Sequence, residues 1–267
     1  GKLYIYLRLG GLMMTYCLGI AVEKGLVFAA DSRTNAGVDY ISSYQKLFDF
    51  SVPGERVIIL CTAGSLSTSQ SVLHQLQQDI ASDAPANLHK LTSLHEAAGY
   101  VGDVMRKIQD KERPWLEKDG IDYQSTFLIG GQIAGESPGM YLVYSQGNFI
   151  SATPETPFLQ IGETKYGKPI LDRTINYGSS LEKVAKTALL SIDSTMRSNI
   201  SVGPPIDMVL YETDALEVRN RAQLEEDDPY LQKMREYWEQ ALSDASSRLP
   251  DVSWNRIEVQ DEHEFVP

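Results

Sequence analysis

The chain has 267 residues, 42% of them hydrophobic, which is enough to bury most of its apolar surface in one core and permits one domain or two. Its 24 Lys and Arg stand against 36 Asp and Glu, a net charge of -12 without clustered positive charge, which excludes nucleic acid as the expected partner. The uncharged run 9–22 is 14 residues long, short of the roughly 20 that a membrane span needs.

That run follows Lys2 and Arg8 like a short secretory n-region, but no small-x-small cleavage site falls where a signal would place one. A second reading takes Met13 or Met14 as the natural start and residues 1–14 as a leader. Two strands follow, Cys17 to Val22 and Leu26 to Ala30, joined by a turn Glu23-Lys24-Gly25. After a polar stretch with Gly37 come Tyr44 to Phe50, the turn Pro53-Gly54 and the apolar strand Arg56 to Thr62.

Val72, Leu73, Leu76 and Ile80 share one helical face, and a capping box Ser93-x-x-Glu96 opens a second helix carrying Leu94, Ala98, Val101, Met105 and Ile108. The polar segment Ser82 to Asn87 between them reads as a surface loop rather than a linker. Strands are predicted around Thr126 to Ile133, Met140 to Tyr144, Phe149 and Phe158 to Ile161. A third helix with Ser179-x-x-Glu182 as its cap leads to a strand Ile206 to Tyr211.

Strand block, helices, strand block, helix and final strand suit two packed sheets covered by helices on their outer faces. The expected class is α+β, a four-layer αββα sandwich over 15–221. Asp228-Pro229 then opens a helix whose stripe Leu231, Met234, Trp238, Ala241, Leu242 and Ala245 serves either its own domain or a neighbouring subunit, within a terminal segment 222–267.

A threonine at a chain's amino terminus can be a complete nucleophilic unit, because Oγ attacks while the free α-amine accepts the proton. The α-amine has an ordinary pKa of about 7.7–8.0, so a nearby lysine charge brings it into range at neutral pH. Thr15-Tyr-Cys-Leu-Gly-Ile-Ala-Val, then Gly25-Leu-Val-Phe-Ala-Ala-Asp31-Ser-Arg-Thr, then Lys46 ahead of Leu47-Phe48, carries such a pattern. The aspartate stands 16 residues after the threonine and the lysine 15 after that.

In these motifs the chain resembles the proteasome β-type subunits and their bacterial relative Anbu, the ancestral β-subunit, from about Met14 to Tyr211. The resemblance implies an N-terminal-nucleophile hydrolase with Thr15 as nucleophile, Asp31 orienting Lys46, and Lys46 lowering the pKa values of amine and hydroxyl. Thr62-Ala63-Gly64-Ser65 corresponds to the segment whose glycine N–H stabilises an oxyanion, which gives Gly64 that role. A late Asp/Ser element is assigned to Asp193, with Ser198 and Ser201 as alternatives. Where the family usually has Gly-Ser-Gly, this chain has Gly162-Glu163-Thr164, and a glutamate there raises the amine pKa.

The implied activity is threonine peptidase action on peptides or unfolded proteins inside a ring-like homo-oligomer, with an unfolding ATPase as a partner. A ring-forming scaffold subunit and an amidase for small amides are the alternatives, the first because an amide nitrogen at Thr15 cannot act as base. No cofactor is implied, and His74, His89, His95 and His263 have no metal-ligand spacing. Gly162 to Lys168 spells G-x-x-x-x-G-K, but Pro169 replaces the Ser or Thr that a phosphate loop needs. Cys17 and Cys61 read as buried thiols of a cytoplasmic protein.

Overall fold

The computed structural model describes residues 15–35 and 41–254. The expected leader 1–14, Gly37 and His263 lie outside them. The chain opens with β1 (Tyr16–Val22), β2 (Gly25–Ala30), β3 (Arg33–Asn35), β4 (Ile41–Ser43), β5 (Leu47–Asp49) and β6 (Arg56–Gly64). Helices α1 (Leu66–Ala81) and α2 (Leu94–Leu116) follow, then β7 (Ser125–Ile133), β8 (Gly139–Val143), β9 (Phe149–Ser151) and β10 (Phe158–Gly162). The remainder is α3 (Lys168–Thr174), α4 (Leu181–Ser198), β11 (Ile206–Glu212), β12 (Asn220–Leu224) and α5 (Pro229–Ser247).

One five-stranded antiparallel sheet has the order β10-β1-β2-β11-β12 and a second has β5-β6-β7-β8-β9. Side chains alternate across a strand, and in β1 and β2 both alternating sets are apolar, so this sheet must be covered on both faces. Leu18, Ile20, Val27 and Ala29 pack with Leu171, Val184, Ala188 and Ile192 of α3 and α4. Cys17, Leu26, Phe28 and Ala30 instead meet Leu47, Val57, Ile59 and Cys61 of the second sheet. The outer face of that sheet, with Ile58, Leu60, Phe127 and Ile129, packs on Val72, Leu76, Ala98 and Val101 of α1 and α2. Three apolar layers between four structural layers make the αββα sandwich that the sequence predicts.

Several boundaries move. Val22 pairs with Gly25, so the first turn is Glu23-Lys24 and Gly25 already belongs to the strand. The cap of α4 is Ser180, which accepts from the Lys183 N–H, while Ser179 Oγ accepts from Asn176 N–H. Ser93 Oγ accepts from Glu96 N–H as the capping box requires, but the Glu96 carboxylate turns to Thr92.

β12 is absent from the sequence reading because its first four residues are exposed and three of them polar, and its burial begins only at Leu224. It pairs along β11, so the boundary expected at 221 falls inside a strand. Leu224 and Leu231 both join the core of β1 and β2, which makes the start of α5 part of the same domain. No helix among the described residues is long and apolar enough to cross a membrane.

Candidate active site

Thr15 immediately precedes β1 and is 2% exposed, held between the two strands that flank β1. On one side β2 ends at Ala30 and delivers Asp31; the Tyr16 N–H donates to Asp31 Oδ1 at 3.0 Å. On the other side the Glu163 N–H, just past β10, donates to the Thr15 carbonyl at 2.7 Å. The Asp31 N–H also donates to the Tyr16 carbonyl at 3.1 Å, so the backbone around Thr15 is fixed from both sides.

Asp31 is fully buried and all of its acceptor positions are in use. Oδ1 takes the Tyr16 N–H and, at 2.7 Å, Lys46 Nζ; Oδ2 takes the N–H groups of Arg33 at 3.2 Å and Gly203 at 3.1 Å. Lys46 sits just ahead of β5, its side chain 5% exposed, and donates a second bond to the Arg33 carbonyl at 2.6 Å. Burial pushes the Asp31 carboxyl above the usual carboxylate range, and the Lys46 ammonium with the Tyr16 and Gly203 N–H groups pulls it back. A buried pair repays its desolvation only when the remaining hydrogen-bond sites are filled, as they are here. The arrangement therefore holds the Lys46 ammonium on the same carboxylate oxygen as the N–H of Tyr16, the residue that follows Thr15.

Gly64 ends β6 at a φ of +103°, and a Cβ there would lie 2.4 Å from the Gln124 carbonyl, so the position requires glycine. Its N–H direction follows from the ladder. Ser65 N–H donates to Gln124 across to β7, whereas Thr62 N–H donates to the Lys46 carbonyl on the opposite side. Alternation turns Gly64 N–H to the same side as that of Thr62. Continued pairing would place Tyr44 opposite it, but Tyr44 N–H bonds to Ser32 instead. The Gly64 amide consequently points past the end of β5, on the side from which Lys46 enters.

Glu163 is 6% exposed and its carboxylate takes neutral donors, Lys165 N–H at 3.0 Å and Asn199 Nδ2 at 3.3 Å. Asn199 caps the end of α4, and Gly203, four residues on, is the residue that donates to Asp31. The loop 199–203 thereby ties together the two carboxylates that flank Thr15. Sequence reasoning missed both Asn199 and Gly203. A helix-ending Asn before Ile-Ser-Val-Gly-Pro-Pro signals a tight loop, but nothing in that pattern names its partners across the sheet.

Asp193 is not brought to this group. It lies on α4, 2% exposed, and its carboxylate accepts at 2.5 Å from Arg235 Nε of α5. Burial raises its pKa and Arg235 pulls it back, so the pair fastens α5 to the sandwich rather than serving Thr15. Of the two alternatives, Ser198 is the last residue of α4, and the Ser201 N–H donates to Asn199 Oδ1. Arg235→Ala should cost roughly 2–3 kcal/mol in urea unfolding, because it leaves Asp193 buried without its hydrogen-bonded cation. The value falls below that of a fully enclosed pair because Arg235 stays 25% exposed.

Two neighbouring groups are unsuited to rival chemistry. Burial pushes the Cys17 thiol well above its usual value, so it stays neutral. Burial likewise pushes the Tyr16 phenol up to about 12, and its hydroxyl is occupied by Ser191 and Gln160. The phosphate-loop-like stretch also has a structural use: Gly162 packs on Thr15, and Lys168 pairs with Asp172 within α3.

Comparison with known proteins decides the family. The family model for the proteasome subunit matches residues 14–210. The chain belongs to the proteasome-subunit family. Among solved structures, Anbu from Yersinia bercovieri is 41% identical with a TM-score of 0.84, the match covering 90% of this chain and 100% of that one. Anbu from Pseudomonas aeruginosa, solved as a helical assembly, is 46% identical at a TM-score of 0.85, with 90% and 99% covered. Anbu from Hyphomicrobium sp. strain MC1 is 42% identical at a TM-score of 0.83, with 90% and 100% covered. No curated protein sequence matches the chain. The proteasome-subunit fold seen here is therefore the framework of a proteasome-like peptidase, and the likeness to Anbu extends over 90% of the chain.

Proposed function

We propose that the chain is a threonine-type peptidase in which Thr15, once it is the first residue, is both nucleophile and base. The observation that carries this reading is the enclosed Asp31–Lys46 pair bonded to the backbone N–H next to Thr15. In the proposed cycle Thr15 Oγ attacks a peptide carbonyl and the α-amine takes its proton. Gly64 N–H stabilises the oxyanion, the protonated amine gives its proton to the leaving nitrogen, and water hydrolyses the ester. Lys46 disfavours the ammonium form and so lowers the pH at which the base becomes free.

Substrates of this reading are peptides or unfolded chains, and the solved helical assembly of the Pseudomonas relative supports self-association here too. In α5, Tyr237 at 77% and Leu242 at 50% exposure leave apolar surface open to a neighbouring subunit, while Leu231 and Arg235 secure the helix to its own domain. An interior chamber would call for a separate unfolding ATPase. The buried free thiols Cys17 and Cys61 suit a reducing cytoplasm.

The test is peptide-panel turnover by the protein expressed from Met14, with N-terminal sequencing to establish that Thr15 is first; no described element is lost from that chain. Cleavage of peptides, and its disappearance when a residue precedes Thr15, is the expected result. Turnover of small acyl amides alone would instead mark an amidase. Inactivity with Thr15 verified as first and the assembly intact would leave the scaffold role.

A further inference from the structure

Glu163 is a buried carboxylate one residue past the Tyr16–Gly162 pair that ends the β1–β10 ladder, its N–H bonded to the Thr15 carbonyl, and its carboxylate contacts among the described residues are all to uncharged donors. A carboxylate removed from water is costly unless a cation or a full set of donors compensates it. Lys165 N–H and Asn199 Nδ2 fill only part of the roughly four acceptor positions of a carboxylate. The nearby lysine, Lys46, is committed to Asp31 and the Arg33 carbonyl, and Arg33 itself donates to the Ile200 carbonyl. Lys165 is exposed, and the cation that the buried surroundings of Glu163 can acquire is the α-ammonium of Thr15, which appears when Thr15 becomes the first residue.

We propose that Glu163 is the counter-ion of the Thr15 α-ammonium, oriented for it by Asn199, and that it sets the pH at which the amine becomes a base. This rests on the reading of Thr15 as an N-terminal nucleophile. Glu163 touches neither substrate nor the attacking oxygen in this role; it is a positioning residue that acts through the amine. Lys46 lowers the amine pKa, but its charge is balanced by Asp31, so the carboxylate of Glu163 dominates and the amine titrates above its ordinary value.

The other charged groups around Thr15 do not alter this sign. Arg33 stands on β3 and Lys165 beyond Glu163 toward α3. On α3, Lys168 pairs with Asp172; behind the sheet, Asp193 and Arg197 of α4 pair with Arg235 and Glu239 of α5. The Tyr16 phenol remains neutral throughout the working range.

The experiment compares the chain beginning at Thr15 with its Glu163→Gln form in two readouts. The first is kcat against pH on a fluorogenic peptide. The acid limb of Glu163→Gln should shift down by about one pH unit or more, making the variant roughly tenfold faster than the parent on the acidic side. Loss of a merely structural residue would lower the rate at every pH. The second readout is the pH dependence of α-amine acylation by acetic anhydride, read by mass at the N-terminal peptide, and it needs no peptidase activity.

In the unsubstituted chain the amine should titrate above about 8, the upper end of its ordinary range. Superimposable profiles, or an amine at or below that range in the unsubstituted chain, would overturn the proposal even if Glu163→Gln fails to fold. An inactive parent with a raised amine would sink the peptidase reading and leave the counter-ion intact.

Discussion

Thr15→Ala and Lys46→Ala, each made in the chain that begins at Thr15, should both reduce peptide turnover to background, yet only Lys46→Ala should also lose stability. Thr15→Ala removes the attacking oxygen and leaves the backbone bonds to Asp31 and Glu163 undisturbed, since these come from Tyr16 N–H and reach Thr15 O. Lys46→Ala removes the cation that offsets the burial of Asp31. Breaking a buried pair on one side costs about 3–5 kcal/mol, which urea unfolding followed by circular dichroism would resolve easily.

The pH dependence of that loss has a definite sign. In Lys46→Ala the folded-state carboxyl of Asp31 is raised further above its unfolded value, so the folded protein binds a proton more tightly than the unfolded chain. Its relative stability is retained below the unfolded carboxylate value and is lost as pH rises through the folded one. The deficit against the unsubstituted protein should therefore be smaller near pH 5 than near pH 8. A deficit that is equal at both would show that Asp31 is not the group left uncompensated. Full turnover in either variant would remove Thr15 and Lys46 from the chemistry.

The sequence displayed the sandwich because its strands are apolar on both faces or on alternate residues and its helices carry clear stripes, patterns that burial alone imposes. It displayed Thr15, Asp31 and Lys46 because each stands immediately outside a strand that is apolar enough to be read, Thr15 before β1, Asp31 after β2 and Lys46 before β5. The late element was illegible for the opposite reason. Asp193 has the right residue type at nearly the right distance along the chain, but helical phase turns it to α5, where Arg235 takes it. Asn199 and Gly203 meet the site through a non-regular loop, and no periodicity reports where such a loop points. β12 was lost because an edge strand facing solvent shows little of the apolar alternation by which strands are read.

Gly162→Ala should cut turnover by about two orders of magnitude without touching any group that takes part in the reaction. Gly162 stands opposite Tyr16 at a φ of +87°, and a Cβ built there would lie 1.8 Å from the Thr15 carbonyl oxygen and 2.6 Å from its carbon. Both contacts are with backbone, so no flexible side chain can yield, and either the end of β10 or Thr15 itself must shift. A displacement of about 1 Å at a reacting group is enough for a loss on the order of 100-fold. The positive φ adds about 1–2 kcal/mol of strain for any residue with a Cβ. Gly54→Ala supplies the comparison, because Gly54 has a φ of +79° and a Cβ there would have nothing within 4 Å. It should lose a similar amount of stability from strain and keep full turnover. Equal turnover losses in the two variants would mean that backbone strain, rather than the displacement of Thr15, is what the reaction feels; a loss confined to Gly162→Ala ties activity to the position of the Thr15 backbone.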